Sequence, residues 1–132
     1  MYGYSSVSIN TGDTSGGSGS STANNTSSHV VVGQICSIGV TYNGSPPAST
    51  DLVIATAGNN GPALTILPLT NANSDGWFHP RHKIDDESAA DVTYDGTNEV
   101  YDKVCVADNI KVTVSQANDD DSVDVVVVYA GA

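Results

Sequence analysis

Asn109-Ile110-Lys111-Val112-Thr113-Val114-Ser115-Gln116, then Ala117-Asn118-Asp119-Asp120-Asp121, then Ser122-Val123-Asp124-Val125-Val126-Val127-Val128-Tyr129, is the stretch whose reading decides the fold. In its first segment Ile110, Val112 and Val114 alternate with Lys111, Thr113 and Ser115, the period-two pattern of a strand with one apolar face. The joining residues 117–121 are turn-like, so the whole predicts a hairpin. In its last segment Val125 to Val128 are apolar on both faces. A central strand covered on both sides reads that way, and so does a strand whose outer face is buried by another subunit.

The chain upstream carries the same kind of signal. His29 to Tyr42 is rich in β-branched residues, with Gly33 and Gly39 suggesting a break or a bulge, and it ends in Asn43-Gly44, a tight-hairpin dipeptide, before Ser45-Pro46-Pro47. Asp51 to Thr56 and Ala63 to Leu69 are two further apolar runs, the second with Pro68 near its end marking an edge or a kink. Gly76 to Arg81 is a short aromatic strand, residues 84–99 a solvated loop or small hairpin, and Val100 to Val106 a weakly alternating strand. No window shows a capped helical period. Seven or eight short strands with frequent turns predict an all-β chain with a β-sandwich or jelly-roll-like architecture.

Residues 1–28 differ in composition. Thr11 to Ser28 is almost wholly Gly, Ser, Thr and Asn, which predicts an extended N-terminal arm with a disordered middle, leaving residues 29–132 as one domain. Tyr2, Tyr4, Val7 and Ile9 alternate at period two, so this segment either adds to a neighbouring sheet or frays.

Fifteen carboxylates against four Lys plus Arg give a formal charge of −11 over 132 residues. Repulsion from phosphate excludes a nucleic-acid role, because such binding needs clustered cations. Charged residues are only 14% of the chain, and residues 1–50 hold a single one, Asp13. A low-charge surface of this kind is expected of a secreted or virion protein, or of one with much of its surface buried in an assembly. No apolar run approaches the ~20 residues of a membrane span, and Met1-Tyr2-Gly3-Tyr4 has neither a basic nor an apolar leader region. The expectation is cytoplasmic synthesis with no membrane partner.

Catalytic and metal patterns fail at named residues. His79 and His82 flank Pro80-Arg81, where a helix interior is forbidden. Asn71-x-Asn73-x-Asp75-Gly76 imitates the opening of a calcium loop, but His82 stands where a bidentate Glu is needed. Asp119, Asp120 and Asp121 read as a solvated turn. The chain has no Gly-x-Ser-x-Gly elbow and no phosphate loop, so no enzyme and no cofactor are expected. Cys36 and Cys105 are read as packed thiols, an intrachain bridge or bridges between subunits. Contact candidates are Tyr2, Tyr4, Trp77, Phe78, Arg81, Val126 and Val128. Trp77 is read either as an interface anchor, with Arg81 beside it, or as core.

The succession Asp75 to Arg81, Tyr101-Asp102-Lys103-Val104, Val106 to Ala117 and a Val-rich last strand resembles small virion proteins of tailed bacteriophages encoded near the major capsid protein. The resemblance covers roughly residues 50–129 and implies a head decoration, or cement, protein on the virion surface. It also implies the major capsid protein as partner and a homo-oligomer, with a trimer favoured. A carbohydrate- or host-surface-binding module of a virion is the alternative, with Trp77 and Phe78 as a stacking platform.

Overall fold

The computed structural model describes Gly3 to Gly131; Met1, Tyr2 and Ala132, and with them the contact expected of Tyr2, lie outside the described residues. Ten strands follow in order: β1 (Gly3–Asn10), β2 (Ser21–Thr26), β3 (Val31–Asn43), β4 (Asp51–Thr56), β5 (Thr65–Leu69), β6 (Gly76–Phe78), β7 (Arg81–Lys83), β8 (Tyr101–Asp108), β9 (Ile110–Ala117) and β10 (Ser122–Gly131). One sheet has the order β1-β10-β3-β8-β7, with β6 also pairing β3, and the other has the order β2-β9-β4-β5. The chain is an all-β sandwich, as its alternation predicts. Among the described residues no helix is long and apolar enough to cross a membrane.

Alternation places the core between the sheets. Val123, Val125 and Val127 of β10 and Ile110, Val112 and Val114 of β9 are at most 1% exposed, and Ile35, Ile38, Leu52 and Ile54 are fully buried with them. Each such side chain contributes about 1.5–3 kcal/mol through area removed from water.

The stretch that decides the fold is not a hairpin. β9 pairs with β2 and β4, whereas β10 pairs with β1 and β3. Residues 117–121 therefore carry the chain across the core from one sheet to the other, and the two apolar faces meet instead of lying side by side. Asp121 explains the corner. It is 4% exposed, and its carboxylate accepts the backbone N–H groups of Ser45 at 2.8 Å and Asn118 at 2.9 Å. Of the three aspartates read as a solvated turn, Asp119 and Asp120 are exposed and Asp121 is inside. Asn43-Gly44 likewise closes no hairpin, because β3 and β4 lie in different sheets; Asn43 is engaged by Asp124 and Ser122 instead.

The expected arm at residues 1–28 is instead built into both sheets. β1 pairs along β10 from Gly3↔Gly131 to Asn10↔Asp124, and β2 pairs β9. Val7 and Ile9 join the core. Thr14 is 1% exposed, its hydroxyl lying 2.5 Å from the Asn118 carbonyl and accepting the Asp121 N–H at 2.9 Å. Composition alone treats Thr and Ser as unable to reward burial, but here the corner of β9 and β10 supplies their partners. The expected Gly76 to Arg81 strand is divided at His79-Pro80: β6 pairs β3 and β7 pairs β8.

β3 serves both halves of its sheet because it carries a bulge. Val128 pairs Ser37 but Tyr129 pairs Ile35, which leaves Cys36 as the extra residue. The parity of the strand reverses there, so Val31 and Ile35 on one side and Ile38 and Val40 on the other all point inward.

Candidate functional site

The outer face of the six-stranded sheet collects most of the predicted contact residues. Register sets Ser8, Val126, Gly39 and Trp77 side by side in one row across β1, β10, β3 and β6. Gly39 is the reason the row can hold an indole. A Cβ built there would meet the six-membered ring of Trp77 at 3.0 Å, so the ring lies directly on bare backbone. Trp77 is nevertheless 62% exposed, which excludes the core reading. Val126 and Val128 are half-buried on the same face, so β10 is interior to its sheet yet covered on only one side. Phe78 points the other way and packs against the core.

Two carboxylates flank the indole. Asp124 and Thr41 stand opposite each other in the row next to that of Trp77, and Asp75 precedes β6. Together with Gly39 and Val126 they bound an open hollow of about 300 Å³. Neither carboxylate is free to swing. Asp124 accepts Asn10 Nδ2 at 2.6 Å and Asn43 Nδ2 at 2.8 Å, and these donors hold its pKa below the usual carboxylate range against a smaller opposing effect of burial. Asp75 accepts the Tyr42 N–H at 2.8 Å. Burial, followed by the charge of Asp75, pushes the Tyr42 phenol up. The hollow thus offers an apolar shelf with fixed negative charge at its rim, which suits a cation carried on an apolar stem.

The remaining candidates lie outside the hollow, Tyr4 on the same outer face by its register with Ala130. Arg81 is exposed, and its guanidinium donates to the carbonyls of Pro80 at 2.8 Å and Cys36 at 3.4 Å. Tyr4 is 77% exposed on β1. Cys36 and Cys105 are both free thiols; each approaches Gln34, Cys36 through its carbonyl at 3.7 Å and Cys105 through its amide at 3.9 Å. Cys105 also borders a smaller hollow of about 210 Å³ with Arg81, His82 and Leu64.

His79 lies 3.1 Å from Ser37 Oγ, a serine–histidine contact that sequence spacing did not suggest, since the two are brought together only by β6 lying on β3. The ring gains no carboxylate partner among the described residues, so the pair lacks the third group that orients a catalytic base. His82 faces the Lys103 carbonyl at 3.1 Å. The residues that imitate a calcium loop are spent on local bonds: Asn73 Nδ2 donates to Pro46 at 3.0 Å and Asp75 is held by Tyr42. Among the described residues no three of His, Cys, Asp and Glu come together as metal ligands.

No protein-family model matches the chain, and no curated protein matches it. It is similar to the solved structure described as "Crystal Structure of FLHE", with a TM-score of 0.43 and 14% identity over 97% of this chain and 96% of that one. A likeness at that level says nothing of activity or partner. The expectation drawn from residues 50–129 is corrected: no phage family matches the chain, the solved structure it is similar to is described as FLHE and not as a virion protein, and the reading as a tailed-phage head decoration protein is withdrawn.

Proposed function

We propose that this chain is a non-catalytic interaction domain that takes a basic segment of another protein on the Trp77 face. One observation carries the reading: an indole 62% exposed, laid on Gly39 and rimmed by the anchored carboxylates of Asp75 and Asp124. Exposing a Trp in water is costly unless a partner covers it, and Trp is among the residues that most often anchor interfaces. A lysine or arginine side chain would lay its stem on Val126 and the ring and bring its charge to the carboxylates, with a cation–π contribution of about 0.5–2 kcal/mol. The net charge of −11 draws such a partner in and repels acidic ones.

Calorimetric titration with a Lys/Arg-containing peptide and with its Asp/Glu counterpart tests this. The basic peptide binds the wild-type chain and the acidic one does not. Trp77→Ala loses the binding, costing about 2 kcal/mol or more as expected of an anchor residue, and Gly39→Val weakens it by lifting the ring from the sheet. Equal response to both peptides, or full binding by Trp77→Ala, contradicts the proposal.

A further inference from the structure

β1 is an edge strand, and most of its free edge is undefended. The other sheet ends are blunted in ways proteins commonly use: β7 is three residues long and carries Arg81 and Lys83, β5 contains Pro68, and β2 is interrupted by a bulge between Ser21 and Ala23. β1, Gly-Tyr-Ser-Ser-Val-Ser-Ile-Asn, is eight residues long and has no charge, no proline and no bulge.

Its backbone phase is fixed. The N–H of Thr11 donates to the Val123 carbonyl at 3.0 Å, so by antiparallel alternation the odd-numbered residues of β1 bond to β10 and the even-numbered ones turn their N–H and C=O groups to the free edge. Asn25 Nδ2 occupies the Asn10 carbonyl at 2.8 Å. Tyr4, Ser6 and Ser8 are left without a backbone partner at that edge among the described residues.

We infer that β1 pairs antiparallel with β1 of a second copy, about a two-fold axis through Ser6. Because Asn10 is engaged, the register that uses the three open residues sets Ser6 opposite Ser6 and Tyr4 opposite Ser8, giving three hydrogen-bonded pairs and one continuous sheet through both copies. A second copy is favoured over a foreign strand on two grounds. In that register Val7 stands opposite Ser5 and Ile9 opposite Gly3 of the second copy, so the apolar residues of both strands keep to the core side of the joint sheet. Two chains of charge −11 repel one another almost everywhere, but β1 is the uncharged part, with Asp13 the sole charge in the first fifty residues. This inference is independent of the Trp77 reading.

Sedimentation equilibrium of the full chain over a range of concentrations tests it. The wild-type chain sediments as a monomer–dimer equilibrium. Ser6→Pro removes an outward N–H from each copy at a position where an edge strand tolerates proline, and it weakens the dimer about ten-fold or more, because both hydrogen bonds between the facing Ser6 residues are lost together. Ser6→Lys places like charges opposite each other at the axis and dissociates the dimer without touching the backbone, so it decides the matter if the proline variant fails to fold. Trp77→Ala leaves the dimer intact. A wild-type chain monomeric at every concentration, or a dimer unchanged in Ser6→Lys, overturns the inference.

Discussion

At the scale of the residue, the site depends on Asp124 staying ionised and still. Its folded pKa is depressed, first by Asn10 and then by Asn43. The stability this adds is fully present above the ordinary carboxylate pKa of about 3.9 and is lost as pH falls through the lower folded value. Asp95 acts with the same sign, held low chiefly by the Asn98 and Thr97 N–H groups. Urea unfolding midpoints measured below pH 5 should therefore decline with acid, and Asp124→Asn should flatten part of that decline while leaving the share of Asp95. An unchanged slope in the variant would show the Asn10–Asp124–Asn43 bonds to be energetically silent.

At the scale of the element, the sequence showed where strands run and concealed how they turn. Period-two alternation of Ile110, Val112 and Val114 is the same whether the next strand lies beside β9 or across the core, and only the buried Asp121 distinguishes the two. The Gly/Ser/Thr composition of residues 11–28 hid β2 because the strand it pairs with, β9, is remote in sequence, and Thr22 finds the Val114 carbonyl at 2.8 Å across that pairing. Trp77 was legible as a candidate, with Asp75 two residues before it, whereas its bed on Gly39 and its neighbour Asp124 depend on register that no local pattern encodes. Three variants test these devices. Thr14→Val keeps shape but orphans the corner groups it serves, and should cost about 1–3 kcal/mol in chemical denaturation. Deleting Cys36 removes the residue that reverses parity in β3, so either Val31 and Ile35 or Ile38 and Val40 turn outward. The chain should then fail to fold cooperatively, whereas Cys36→Ser, which keeps the bulge, should stay within about 1 kcal/mol of wild type.

At the scale of the molecule, charge and symmetry act together. The acidic field attracts a basic partner over a distance that salt shortens, so affinity for a Lys/Arg peptide should fall as ionic strength rises from about 0.05 to 0.5 M. If β1 joins two copies, the Trp77 rows lie on one continuous outer face, separated by seven strand spacings or about 34 Å before twist. A partner with two basic segments would then bind with avidity beyond either contact alone.

The chain contains one tryptophan, so a nitrogen–proton correlation spectrum carries a single indole resonance, and its response to a Lys/Arg peptide is the most direct measurement of the proposed site. On titration this resonance should shift together with the amides of Thr41, Gly76 and Val126, while those of β4 and β9 on the opposite sheet stay in place. An indole resonance that does not move while the peptide binds, or shifts confined to the opposite sheet, would contradict it.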